Sequence, residues 1–233
     1  MMTNPELRRD YSRLDAFLKL RENDIGTMDW MNEGNYGDMH RTYGFEAIKL
    51  LEPYGLAGKS VLDIGCGDGG TTRIFKEKGC TALGTCIKIE PLLQKAIDEA
   101  GIEVIECDQS FMPVKDNIFD FVFARHILEH SIMPYFTLSE YNRVLKTDGI
   151  LFVEIPYPDT YAKPEKNPNH YSLLPLGMWR ELFYRAGFEE LYTDAVELRG
   201  GDEILDKWGR FILIKKYSDY LVNWVPTKAA KIE

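Results

Sequence analysis

The ten residues 61–70, VLDIGCGDGG, constrain this chain more than any other stretch. An apolar run, Ser60–Ile64, breaks into closely spaced glycines, and a helix is expected near 69–78. Gly65, Gly67 and Gly70 satisfy G-x-G-x-x-G in the context that gives the motif meaning, after a strand and before a helix. Such a turn lets backbone approach a ligand with no Cβ in the way. It also commits the chain to a strand–turn–helix unit, and the sequence that follows keeps alternating in the same way.

Further strands are expected at Thr81–Cys86, Val104–Cys107, Phe119–Ala124 and Ile150–Ile155, with helices at Pro91–Ala100 and near 134–145. Alternation of this kind predicts a parallel sheet with helices on both faces. Residues 156–174 carry four prolines and read as a long loop, a length that favours a functional role over filler. A helix near 175–186 ends at Gly187. The apolar segments 188–198 and 208–216 then suggest an antiparallel hairpin at the sheet edge. Upstream, residues 4–22 read as an amphipathic helix with Leu7, Tyr11, Leu14, Phe17 and Leu18 on one face. Residues 23–44 read as a Gly-rich aromatic loop or lid with short helical turns, and 45–54 as a second helix. The expected division is 1–54 for N-terminal helices and lid, 55–217 for the core and 218–233 for a tail, within one globular domain.

Composition narrows the classes. A chain of 233 residues, 45 % hydrophobic, suffices for one sizeable core. With 37 acidic against 28 basic residues, the formal charge of −9 argues against a nucleic-acid partner, because neutralising phosphates needs a basic surface. Four cysteines, Cys66, Cys80, Cys86 and Cys107, form no C-x-x-C pair. The N-terminus is polar and no apolar run reaches membrane-spanning length. The expectation is a cytoplasmic protein with reduced thiols and no membrane partner. The oligomeric state is not legible.

Asp63 decides what the glycine turn holds. A dinucleotide site needs an acid about 20 residues on for the ribose hydroxyls, and Gly84-Thr85-Cys86 supplies none. Asp63 itself sits inside the apolar run, where an unpaired carboxylate is costly. A ligand with its own ammonium group would pair with it, whereas a pyrophosphate would be repelled. S-adenosylmethionine carries such an ammonium beside its sulfonium.

VLDIGCGDGG resembles the first motif of class I S-adenosylmethionine-dependent methyltransferases of the type 11 kind, and further pieces follow in that family's order. Asp108 in CDQSFMPVKDNIFDFVFA resembles the acid that meets the adenine amino group, with Phe111 or Met112 along the adenine slot. LSEYNRVLKTDGILFVEIP resembles the family's E-x-x-R-V-L-K-x-G-G helix and fifth strand, with Asp148 in place of the first glycine. NHYSLLPLGMWRELFYRAGF resembles the helix before the sixth strand. The likeness covers about residues 55–198. It implies a Rossmann-like, doubly wound, mostly parallel seven-stranded sheet with an antiparallel edge hairpin and an N-terminal helical lid. It implies S-adenosylmethionine as cofactor, S-adenosylhomocysteine as product, and cofactor contacts from Asp63, Gly65, Cys66, Gly67, Cys86, Asp108, Gln109, Ser110 and Arg125. One departure stands out. The family ends its second strand in Asp or Glu, and here the slot holds Cys86, a poor acceptor. Either Glu90 reaches back, or backbone and water replace the acid, or cofactor binding is weakened or altered, or the family tolerates the change.

ARHILEHS, residues 124–131, fits H-x-x-E-H, a zinc-hydrolase pattern when it lies on a helix. Under the resemblance it is the loop beyond the fourth strand, and with no third ligand at a matching spacing no metal is expected. His126 and His170 are the candidate catalytic bases, since imidazole titrates near neutrality; a structural role for His126 and a helix-capping role for His170 stand as alternatives. Trp30, Tyr36, His40, Arg41, Tyr43, His130 and Tyr171 are candidates for the lid and substrate cleft, with Gly34, Gly37 and Gly44 as hinges; a satellite aromatic cluster under a surface loop, and local packing or hydrogen bonding for His130, stand as alternatives. Arg41 and Arg125 suit an anionic substrate or an ion pair with a surplus acid. The expected activity is methylation of oxygen or nitrogen on a small molecule, with a sugar or nucleotide-sugar suggested by analogy. A non-catalytic cofactor sensor is the alternative; a dehydrogenase and a zinc hydrolase rank below it.

Overall fold

The computed structural model describes residues 34–216, together with the helical positions Ala16 and Lys19. The helix expected over 4–22 otherwise lies outside the described residues, as do Trp30 and the 218–233 tail. Among the described residues, one sheet of seven strands runs β1 (Ser60–Ile64), β2 (Thr81–Cys86), β3 (Glu103–Glu106), β4 (Phe119–Arg125), β5 (Leu145–Pro156), β6 (Phe188–Gly200) and β7 (Glu203–Lys215). Its spatial order is β3-β2-β1-β4-β5-β7-β6. The first five strands pair in parallel, and β7 pairs antiparallel with both β5 and β6. The expected edge hairpin is therefore present, with its second strand inside and its first at the rim. The helices are α1 (Gly34–Lys49), α2 (Gly70–Glu77), α3 (Pro91–Ala100), α4 (Pro134–Val144) and α5 (Leu176–Arg185).

Strand alternation sorts the core into two layers. Val61, Phe121, Phe123 and Phe152 pack on one side with Ala47, Ile48 and Leu51 of α1 and Phe75 of α2. Leu62, Ile64, Val122 and Ala124, the intervening residues, pack on the other side with Leu138 and Tyr141 of α4 and Trp179 and Phe183 of α5. A period of two on strands buried on both faces accounts for their near-continuous apolar runs. Asp63 shares the face of Val61, towards α2, and is the one acid in β1.

Two expectations are corrected here. The loop-or-lid reading of 23–44 ends at residue 34, because α1 runs unbroken from Gly34 and stops at Lys49, ahead of a 3-10 turn at Glu52–Tyr54. Gly44 is not a hinge: it is buried in that helix, and a Cβ there would lie 3.0 Å from Thr71 Cγ2, so the residue buys close helix packing. β5 starts at Leu145, ahead of the expected Ile150, and shifts register opposite Phe119–Phe121. Asp148, in this irregular part, has φ 58°, a left-handed conformation that glycine adopts without strain and aspartate tolerates.

Lys215 ends β7 and is buried. Its ammonium donates to the carbonyls of Asn142 and Leu145 at 2.7 Å each, and to Asn117 Oδ1 at 2.8 Å. A cation thus caps the C-terminal end of α4, where carbonyls lack helical partners. Lys215→Met keeps the stem and strands these acceptors, so urea denaturation should show a loss of about 2–3 kcal/mol.

Candidate functional site

The strand order reverses between β1 and β4, whose carboxyl ends lie side by side with Ile64 opposite Ala124. In open α/β sheets ligands bind at that crevice. The glycine turn leaves β1 there, and residues 126–131 leave β4 there.

Asp63 is buried and accepts hydrogen bonds from Thr71 Oγ1 at 2.7 Å and Thr72 Oγ1 at 2.6 Å, both on Oδ2. The threonines belong to the first turn of α2, so the carboxylate ties strand to helix across the turn. These bonds do not fully offset its burial, which pushes the carboxyl up to about 6. The glycines divide the work. Gly65 (φ 68°) lies against Ile127, whose side chain would sit 2.7 Å from an added Cβ. Gly67 (φ 57°) has nothing within 4 Å of that position, leaving open space above the turn. Gly65 therefore serves packing, and Gly67 is where backbone can face a ligand.

Cys66 is buried, and its thiol hydrogen-bonds to the half-buried Cys86 at the end of β2. That bond holds Cys86 below the ordinary thiol range and, with burial, raises Cys66. Glu90 pairs with Lys88 at 2.8 Å instead of reaching the end of β2. Asp108 closes a turn after β3, its Oδ1 accepting the Ser110 N–H at 2.8 Å. Its two neighbours turn their side chains inward. Gln109 Nε2 donates to Ile127 O at 2.9 Å, and its Oε1 accepts from Tyr141. Ser110 Oγ meets Thr137 Oγ1 at 2.7 Å. Both side chains are buried and bolt this loop to α4 and to residues 126–131, leaving only their backbone for a ligand.

The β4 end carries a chain of buried charges. Arg125 pairs with Glu154 of β5 at 2.6 Å, the ion pair with an acid that the sequence offers beside the anion-binding reading. His126, held at φ 49°, sets Nε2 3.0 Å from Glu154 Oε1 and Nδ1 3.6 Å from Glu129 Oε1. Burial alone would depress this imidazole, yet the two carboxylates win and raise it to about 9. With both ring nitrogens turned to acids, His126 is placed as a donor, which weighs against the base role. Its ring also meets Trp208 of β7 edge-on at 5.6 Å, and Trp208 meets Tyr43 of α1 at 5.0 Å. Tyr43 is thus a lid candidate that reaches the β4 end. Tyr36, His40 and Arg41 lie on α1, with side chains outside the described residues.

His130 and His170 come together although 39 residues separate His130 from Asn169, whose carbonyl takes the His130 Nδ1 contact at 3.0 Å. The rings meet edge-on at 4.8 Å. The loop over 156–174 is held there by Ser172 N–H donating to Glu129 O at 2.9 Å and Ser172 Oγ donating to Ser131 O at 2.6 Å. Burial keeps both imidazoles below their usual value. Tyr171 stays 39 % exposed at the mouth of this loop. Glu129 begins no long helix: residues Leu128–His130 form a single 3-10 turn, so H-x-x-E-H does not act through helical spacing. Sequence reasoning missed Glu154 and Trp208. Glu154 left one signal, an acid inside the apolar strand LFVEIP.

A methyltransferase domain family matches residues 62–153. The chain is 30 % identical over 130 residues to the ubiquinone biosynthesis O-methyltransferase of Actinobacillus pleuropneumoniae serotype 5b, a match covering 46 % of this chain and 54 % of that protein. It thus spans about half the length of that curated relative. Among solved structures it resembles the Burkholderia thailandensis 1,6-didemethyltoxoflavin-N1-methyltransferase with bound 1,6-didemethyltoxoflavin and S-adenosylhomocysteine. The TM-score is 0.66 at 17 % identity, over 93 % of this chain and 92 % of that one. It also resembles the [4+2]-cyclase SpnF, with TM-score 0.61 at 18 % identity over 74 % and 80 % of the two chains.

Two outcomes test the geometry. The folded-state pKa of Asp63 is raised above the unfolded one, so its protonated form stabilises the fold. That contribution is whole below about pH 4 and is lost as pH rises through about 6, an effect of about 2–3 kcal/mol. Asp63→Asn should flatten this part of the pH–stability curve; an unchanged slope in urea unfolding would refute it. His126→Ala leaves Glu129 and Glu154 facing one another across a gap and should cost about 3 kcal/mol by the same assay.

Proposed function

We propose that this chain, whose residues 62–153 form a methyltransferase domain of the class I S-adenosylmethionine-dependent kind, methylates an oxygen or nitrogen of a small molecule. The observation that carries the reading is Asp63: a buried carboxylate, only partly satisfied by threonine hydroxyls, beside a turn with open space at Gly67. An ammonium group completes its charge balance where a pyrophosphate would be repelled. Bound S-adenosylmethionine supplies an activated methyl group. The chain's own residues then hold and align. Asp63 would hold the amino-acid end, the Gly65–Gly67 backbone would leave it room, and the turn at Asp108 would meet the adenine edge. The Cys86 sulfur and backbone would stand at the ribose, with Glu90 engaged by Lys88.

On the acceptor side, methyl transfer gains chiefly from alignment and exclusion of water. At the β4 end the half-buried Tyr43 is backed by the buried Trp208, an aromatic wall in which Tyr43 carries the exposed surface. This suits a flat aromatic acceptor, and an oxygen nucleophile on it, better than the sugar or nucleotide-sugar expected from the sequence. The names of the O-methyltransferase relative and of the toxoflavin-bound neighbour point the same way. His126 positions this wall by bridging Glu154 and Trp208, and acceptor deprotonation passes to the neighbourhood of His130 and His170. A non-catalytic sensor is the second reading, favoured by Cys86 standing where an acid would grip the ribose.

Calorimetry tests the first reading. S-adenosylhomocysteine should bind where NAD does not, and more weakly below pH 6 as Asp63 protonates. Asp63→Ala should weaken binding more than about tenfold through loss of a charge-assisted contact. NAD binding in place of S-adenosylhomocysteine, or equal affinity in the folded variant, would overturn it. Cofactor binding without transfer to any of a panel of phenolic, hydroxyl and amine acceptors would favour the sensor.

A further inference from the structure

The chain has four histidines, and three of them surround one buried carboxylate, Glu129. His126 takes its Oε1 side. One ligand atom each from Glu129, His130 and His170 also lie within 4.8 Å of one another. Glu129 is 1 % exposed, and its Oε2 has no hydrogen-bond partner among the described residues. An acceptor-only oxygen removed from water and unpaired is costly, and a cation is the species that removes the cost. We propose that Glu129, His130 and His170 form a binding site for a single divalent cation of the zinc type.

The surroundings are built as such a site requires. The carbonyl of Asn169 faces His130 Nδ1 at 3.0 Å; a carbonyl only accepts, so the proton is on Nδ1 and the lone pair on Nε2. Metal-bound imidazoles use this arrangement, with the second nitrogen donating to a backbone oxygen. Asn167 Nδ2 donates to His170 Nε2 at 3.1 Å, a lone pair that Asn167 would yield to the cation, and Asn167 Oδ1 accepts the Asn169 N–H at 3.0 Å. The loop that brings His170 is fastened by Ser172 to Glu129 O and Ser131 O. Two imidazoles and a carboxylate suit zinc better than magnesium or calcium, and three protein ligands leave a fourth position open. Zinc bonds of about 2 Å need ligand atoms about 3.3 Å apart in a tetrahedron, so the set closes by roughly 1–1.5 Å on binding.

The sequence pattern H-x-x-E-H thus marks a cation site with different members from those a helix would select. His126 belongs to Glu154, and the third ligand comes from the Pro-rich loop. The open position lies at the carboxyl end of β4, on the acceptor side. There the cation would hold an acceptor hydroxyl and lower its pKa, a use that rests on the methyltransferase reading, whereas binding itself does not.

The test uses the full chain stripped with a chelator and dialysed. Zinc should bind at one equivalent by calorimetry, with a dissociation constant in the micromolar range or below and a rise in thermal midpoint. Cobalt(II) should give visible bands of a tetrahedral nitrogen–oxygen site without a thiolate charge-transfer band, which separates it from the cysteines. His170→Ala, with circular dichroism matching the parent, should lose at least tenfold in zinc affinity and abolish the cobalt bands. Absence of stoichiometric zinc binding, a thiolate band, or unchanged affinity in His170→Ala would each overturn the site. S-adenosylhomocysteine binding, measured on the same samples, reports the cofactor reading separately: its failure with zinc binding intact removes the methyltransferase role and leaves the cation site standing.

Discussion

The Asp63 carboxylate, buried at the end of β1 and bonded by Thr71 and Thr72, is the constraint on which the site depends. It fixes the start of α2 against the last residues of β1, so the intervening glycine turn has one conformation. That turn sets the distance to residues 126–131, because Gly65 touches Ile127. The same acid stays short of full satisfaction, with its carboxyl lifted to about 6. A fold tolerates such a deficit where a ligand settles it, since perturbed groups of this kind gather at functional sites.

A second polar layer lies across the crevice. Arg125, Glu154, His126 and Glu129 form a buried sequence of alternating charge, and Trp208 and Tyr43 extend it to α1. Charges this deep hold only while each is paired. The layer therefore sets the carboxyl ends of β4 and β5 and the 3-10 turn in one mutual arrangement. The helix that sequence reasoning takes for a hinged lid joins that arrangement through Tyr43, and Gly44 gives it close contact with α2. Among the described residues no helix is long and apolar enough to cross a membrane.

Legibility followed the range of the interactions. The strands Ser60–Ile64 and Thr81–Cys86 and the helix Pro91–Ala100 were read to the residue, because local periodicity and Gly or Pro punctuation mark them. The sheet's parallel part and its edge hairpin followed from alternation and from a resemblance over about residues 55–198. Gln109 and Ser110 are cofactor candidates from the sequence, and only the structure shows that their side chains turn to Ile127, Tyr141 and Thr137, contacts no linear neighbour reveals. For Arg125 the sequence offers an anion or an acid partner, and only strand register shows that the acid is Glu154.

By itself the sequence determined a strand, a glycine turn and a helix around a buried acid, repeated into a parallel α/β sheet, since each of those features is carried by residues a few positions apart. Only the tertiary structure decided which histidine meets which carboxylate. His126 and His130 are four residues apart but face different partners, and His170 reaches Glu129 because a loop fastened by Ser172 folds back across the sheet's carboxyl edge. Side-chain pairing across strands is set by register and by loop closure, and neither leaves a periodic trace in the chain.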